Sequence, residues 1–184
     1  MSTQPNTSPS TETDTATTEE AAVAVVRRLY DAYNARDMDG LLACWRPGGI
    51  EHLPLVGDMT VPDQLRGHLN AFYGSFPDAH TEVLSLVADA EGRVAAQVLL
   101  TGTFTGTRFN GLRANGRRWS ARMSEFFVVE DGLISRLDVY MDNMDLARQL
   151  GLLPPDGGPM EKVLRGAFNL NVALRGARGA RPRP

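Results

Sequence analysis

In the stretch RMSEFFVVEDG (122–132), one carboxylate falls where strand alternation puts apolar side chains. Strand residues point alternately to two faces, and Trp119, Ala121, Met123, Glu125, Phe127 and Val129 share one of them. Five of these six are apolar. A charge in such company pairs, protonates or faces a water-holding cavity, because an unpaired buried charge costs several kcal/mol, roughly. If the face lines a cavity, desolvation raises the Glu125 pKa and suits the group to remove a weakly acidic proton from carbon. The second candidate is His52 in IEHLPLVG, expected to share its face with Ile50 and able to donate or accept a proton near neutral pH. The third is Asp138 in LISRLDVYMD. The alternation there places Leu137, Val139 and Met141 on one face and Arg136, Asp138, Tyr140 and Asp142 on the other. Asp138 reaches an interior only through a bulge.

The elements that must position these groups follow from changes of period. Residues 1–17 are rich in Ser, Thr and Pro and read as a disordered arm. Thr17 and Glu20 fit a capping box opening a helix to about Asn34, with Val23, Val26, Tyr30 and Tyr33 on one face. A second short helix is expected to carry Leu41, Leu42 and Trp45 and to stop at Pro47-Gly48-Gly49. IEHLP reads as a short strand. Pro62 suits the first turn of a third helix whose buried stripe is Leu65, Leu69, Phe72 and Phe76. Four β-rich runs follow (80–89, 93–105, 117–129 and 133–142), joined by AEG, a longer loop over 106–116, and EDG. Short connections make them antiparallel, and helices followed by a long sheet give an α+β class. Asp142 or Asn143 caps a closing helix in DLARQLG. Residues 153–184 read as a Pro/Gly linker and a basic amphipathic helix bearing Met160, Val163, Leu164, Ala167 and Phe168. Its expected place is against the domain or a dimer partner.

The chain has 184 residues, enough for one domain plus tails. A net charge of -3 gives no overall attraction to nucleic acid. The single cysteine, Cys44, excludes an internal disulfide and a cysteine-based metal site, and is compatible with a cytoplasmic setting. The N-terminus carries neither the basic nor the apolar segment of a secretory signal, and no run approaches transmembrane length. There is no zinc spacing, phosphate loop, Ser/His/Asp order or dinucleotide fingerprint. Asp78 and His80 in FPDAH read as turn chemistry.

The order YNARD, EHLP, FPDAH, TGTFTG, RANGRR, DGLI and DNMDLARQLG resembles the SnoaL-like polyketide cyclases and ester cyclases of the nuclear-transport-factor-two-like superfold, over residues 18–152. The resemblance implies a cone: a strongly curved, mostly antiparallel sheet wrapped by about three N-terminal helices around one apolar pocket. It implies a homodimer and acid/base chemistry without a cofactor or metal. The branch places a pocket histidine where Glu125 stands and its acid/base aspartate where this chain has Val139, so Asp138 is the fallback. In related pockets the first helix supplies a phenol or amide, which makes Tyr30 and Asn34 substrate-binding candidates. Trp119, Met123, Phe127 and Val139 would form an apolar wall for a flat ring system. IEHLP is similar to a segment of limonene-epoxide-hydrolase relatives, but their arginine and aspartates are missing here, which disfavours epoxide hydrolysis. The expected function is cyclisation or isomerisation of an apolar, polyketide-like carbonyl compound. Glu125 would act as base and His52 as donor to the enolate oxygen. The competing expectation is a non-catalytic binder of hydrophobic ligands or a dimeric accessory protein.

Overall fold

In a computed structural model of the chain, residues 10–155 and 157–179 are described, with side chains from 18 to 172 apart from 156. Helix α1 spans Ser10–Ala35, so it starts upstream of the expected Thr17 cap; residues 1–9 of the expected disordered arm lie outside the described residues. Its buried stripe is Ala22, Val25, Val26, Leu29 and Tyr30, an i, i+3, i+4, i+7 pattern that packs the helix against the sheet. Asp37 caps the short α2 (Met38–Leu42) by accepting a hydrogen bond from the Gly40 amide at 2.9 Å.

Trp45 does not belong to α2 as expected. It opens strand β1 (Trp45–Leu53), in which the Pro47-Gly48-Gly49 segment is absorbed as a register shift before Ile50. A turn leads into β2 (Gly57–Thr60), a strand with no counterpart in the sequence-based expectations. Helix α3 (Asp63–Ser75) follows Pro62 and buries Leu65, Leu69 and Phe72. Strands β3 (His80–Ala88), β4 (Arg93–Thr103), β5 (Arg118–Glu130) and β6 (Leu133–Met141) match the four β-rich runs. Asp131 and Gly132 both take positive φ between β5 and β6, the geometry of a tight hairpin turn.

The sheet order is β2-β1-β6-β5-β4-β3, antiparallel throughout except for the β1–β6 pair. Helices α1 and α3 lie over one face, and the buried cluster fills the space between. Of the two glycines in TGTFTG, Gly102 is tightly placed and Gly106 is sterically required. A Cβ at Gly102 would meet the Trp119 indole at 3.1 Å, and one at Gly106 would meet the Gly74 carbonyl oxygen at 1.9 Å. Gly106 and Thr107 donate to the carbonyls of Ser75 and Gly74, which pins the β4–β5 loop to the end of α3. Asp142 caps α4 (Asn143–Gln149) through the amides of Met144 and Asp145. In α5 (Pro159–Gly179), Met160, Val163, Leu164 and Phe168 all remain more than half exposed, so of the two expected places the helix does not take the one on its own domain.

Candidate active site

On β5 the alternation holds without a break: Trp119, Ala121, Met123, Glu125, Phe127 and Val129 are all buried. Glu125 is only 6% exposed and lines a cavity of about 260 Å³ between the sheet and helices α1 and α3. Helix α1 contributes Leu29, Tyr30 and Tyr33; β6 contributes Leu137, Val139 and Met141. Helix α3 adds His68, Leu69 and Phe72. The exposed lining residues Leu55, Val56, Asn110 and Leu152 mark the mouth. The wall is overwhelmingly apolar, the setting in which a few polar groups decide orientation and chemistry.

The Tyr30 hydroxyl donates to Glu125 Oε2 at 2.5 Å, and its ring meets Phe127 edge to face at 6.1 Å. Burial pushes the Glu125 pKa up to about 7, with the Tyr30 hydrogen bond holding it down. The Tyr30 phenol is itself driven upward, first by burial and then by the neighbouring Glu125 charge, so it stays a donor. Burial likewise keeps Tyr33 protonated.

A second carboxylate shares the cavity. Glu51 on β1 lines it, and burial followed by repulsion from Glu125 pushes its pKa up to about 8. Two carboxyls that repel each other in a desolvated pocket do not ionise together readily. Glu125 ionises first because a phenol O–H is aimed at its carboxylate. Near neutral pH the pair therefore holds one base and one acid. Sequence reasoning missed Glu51, because it gave the inward direction to Ile50 and His52.

The structure corrects His52. Its side chain is 41% exposed on the other face, where Nδ1 lies 2.6 Å from Asp58 Oδ1. The strand direction is offset by one residue from the expected one, which moves every side chain to the opposite face. Asp138 is also outside. It stands beside His52 in the sheet and accepts two hydrogen bonds from the Arg136 guanidinium at 2.7 and 2.8 Å, which hold its pKa below the usual carboxylate range. The β5–β6 ladder runs in register through Phe126–Asp138 and Glu125–Val139, so no bulge turns Asp138 inward.

Of the expected binding residues, Tyr30, Trp119, Met123 and Val139 line the cavity. Phe127 does not; it is 1% exposed and packs behind Tyr30. Nor does Asn34, whose amide clamps α1 to β3 by donating to the Thr81 carbonyl and accepting from the Thr81 amide, both at 2.8 Å. Asp78 has the expected structural role, bound to the amide and hydroxyl of Thr103. His68 was also missed. It lies three residues after Leu65 and four before Phe72, so the helical period that found those two points it inward as well. Among the described residues no group of three or more His, Cys, Asp or Glu side chains is arranged to hold a metal ion. Nor is any described helix long and apolar enough to cross a membrane.

The fold has clear counterparts among solved structures. AclR from Streptomyces galilaeus, described as a proposed hydroxylase, superposes with a TM-score of 0.65 at 24% identity, covering 89% of this chain and 99% of its own. IdmH from Streptomyces antibioticus, a proposed polyketide cyclase, gives 0.62 at 24% identity over 71% of this chain and 98% of its own. A proposed polyketide cyclase from Xanthomonas campestris pv. campestris gives 0.64 at 26% identity, covering 72% and 98%. No curated protein matches the sequence significantly. The SnoaL-like domain model matches residues 26–137, from the middle of α1 into β6 and across both cavity carboxylates. The chain therefore belongs to the SnoaL-like family of the nuclear-transport-factor-two-like superfold.

Proposed function

We propose that the chain is an acid/base enzyme that cyclises or isomerises an apolar, polyketide-like carbonyl compound. The observation that carries this reading is the pair of Glu125 and Glu51 on the wall of one largely apolar cavity. Ionised Glu125 takes a proton from the carbon next to a carbonyl. Neutral Glu51 replaces His52 as the donor to the enolate oxygen. In a cyclisation the enolate carbon attacks a second carbonyl of the same molecule, a carbon–carbon bond forms as that carbonyl's π bond breaks, and the new alkoxide takes up the proton that Glu125 removed. In an isomerisation Glu125 returns its proton to a different carbon. As written, the chemistry is redox-neutral, moves protons and exchanges a carbonyl π bond for a carbon–carbon bond, and uses no cofactor. Positioned proton transfer of this kind accelerates a reaction by roughly 10²–10⁴-fold.

Val139 is compatible with this reading. It pairs directly with Glu125 across β5 and β6, so a carboxylate stands one strand over from the family's aspartate position, at the place where the branch has its pocket histidine. The names of the cyclase relatives support the same substrate class. We also propose a homodimer, supported by Phe126 and Tyr140, which stack edge to face at 5.9 Å on the outer sheet face while at least half exposed. The free, buried Cys44 is consistent with a cytoplasmic location.

The test is turnover of aromatic β-diketones and poly-β-ketones by wild type, Glu125→Gln and Glu51→Gln. Both variants should bind ligand with little change while losing most of their rate. Ligand binding without turnover by the wild type on any such substrate would instead favour the binder.

A further inference from the structure

His68 is a half-buried polar group of the cavity that the proposed chemistry leaves unused. Its ring meets Phe109 edge to face at 6.1 Å, and no hydrogen bond joins it to any described residue. Burial pushes its pKa down, so the imidazole is neutral at physiological pH and offers one donor nitrogen and one acceptor nitrogen.

Its place in the cavity follows from ring contacts. Phe109 packs on Phe76 at 5.3 Å, and Phe76 packs on Trp119 at 5.2 Å. These contacts place His68 on the Trp119 side of the cavity, toward the start of β5, with Glu125 further along that strand. The cavity has polar groups at both ends and the apolar side chain of Met123 on the strand between them. Glu125 sits deep at 6% exposure, and the half-buried imidazole sits beside the Phe109–Leu112 turn, next to Asn110 at the mouth.

We infer that His68 is a second polar anchor, hydrogen-bonding an oxygen at the far end of a flat, elongated substrate whose reacting carbonyl lies at Glu51 and Glu125. The inference rests on the proposed function and sharpens its substrate class: a fused-ring ketone with an oxygen substituent at the opposite end. A cavity of about 260 Å³ suits a small bicyclic body of this kind. Selectivity arises because a half-buried imidazole left without a partner forfeits hydrogen bonds it made with water.

Two rigid probes isolate the contact: 2-acetylnaphthalene and 6-acetyl-2-naphthol, which adds only the distal hydroxyl. Trp45 and Trp119 both line the cavity, so their fluorescence reports occupancy. Wild type should prefer the hydroxylated probe by roughly 10-fold, although water favours that probe too. His68→Phe should keep its affinity for 2-acetylnaphthalene and lose the preference to within about 2-fold. His68→Gln, which retains a donor and an acceptor, should restore part of it. An unchanged preference in His68→Phe overturns the inference, as does equal binding of the probes by wild type or binding of neither. Failure of the acid/base reading has a different signature: Glu125→Gln keeps full turnover while the probe preference is intact.

Discussion

Glu125 and Asp138 are acids on adjacent strands, one register position apart, and the sheet gives them opposite fates. Glu125 faces the cavity, takes a hydrogen bond from Tyr30 and is pushed up to about 7 by burial. Asp138, opposite Phe126, faces outward, is chelated by Arg136 and is held down. The same functional group is a proton-transfer candidate on one face and half of an ordinary surface ion pair on the other. Strand parity, more than residue type, decides which acid can do chemistry.

The largest expected difference is catalytic. Glu125→Gln should lower kcat by about 10²–10⁴-fold, whereas Asp138→Asn and His52→Ala should change it by less than about 2-fold. An equal loss in the outward-facing variants would erase the distinction between faces. Next comes stability. The folded-state pKa of Glu125 lies above the unfolded value of about 4.3, so wild type loses relative stability as pH rises between that value and about 7. Above pH 7, Glu125→Gln should be more stable by as much as about 3 kcal/mol, and the advantage should vanish near pH 4. Differential scanning calorimetry across that range checks both the sign and the window.

A smaller effect sharpens the role of the phenol. Without the Tyr30 hydroxyl the Glu125 carboxylate loses its donor, so Tyr30→Phe should move the acidic limb of kcat/KM upward by about one pH unit. In wild type that profile should be bell-shaped, with limbs near 7 and 8 for the Glu125–Glu51 pair. Glu51→Gln should remove the alkaline limb. The smallest effect belongs outside: Asp138→Asn should shift Tm by no more than about 2 °C at neutral pH, since exposed ion pairs contribute little.

The long strands were legible because period-two alternation runs unbroken from Trp119 to Val129 and the turns carry Gly and Asp. This located Glu125 and the Trp119 and Met123 wall. The β1–β2 hairpin was not legible. Its tip exposes Leu55 at 91%, an apolar residue with positive φ, so the turn carries no polar signature. At IEHLP both parities offer one charged or polar and one apolar residue. Only the register fixed by β6 sends Glu51 inward and His52 out. Trp45 escaped the expected helix because a bulged strand tolerates Pro47 and two glycines. Asn34 looked like a pocket amide, but its partner Thr81 lies 47 residues away, a contact that local pattern cannot reveal.

The most direct measurement is a carbon-13 NMR titration of the side-chain carboxyls in glutamate-labelled protein, with Glu125→Gln and Glu51→Gln used to assign the two cavity signals. Apparent midpoints near 7 and 8, with the lower one lost in Glu125→Gln, are the predicted result. Midpoints for both groups near the ordinary glutamate value of about 4.3 would contradict a desolvated acid/base pair at the centre of this cavity.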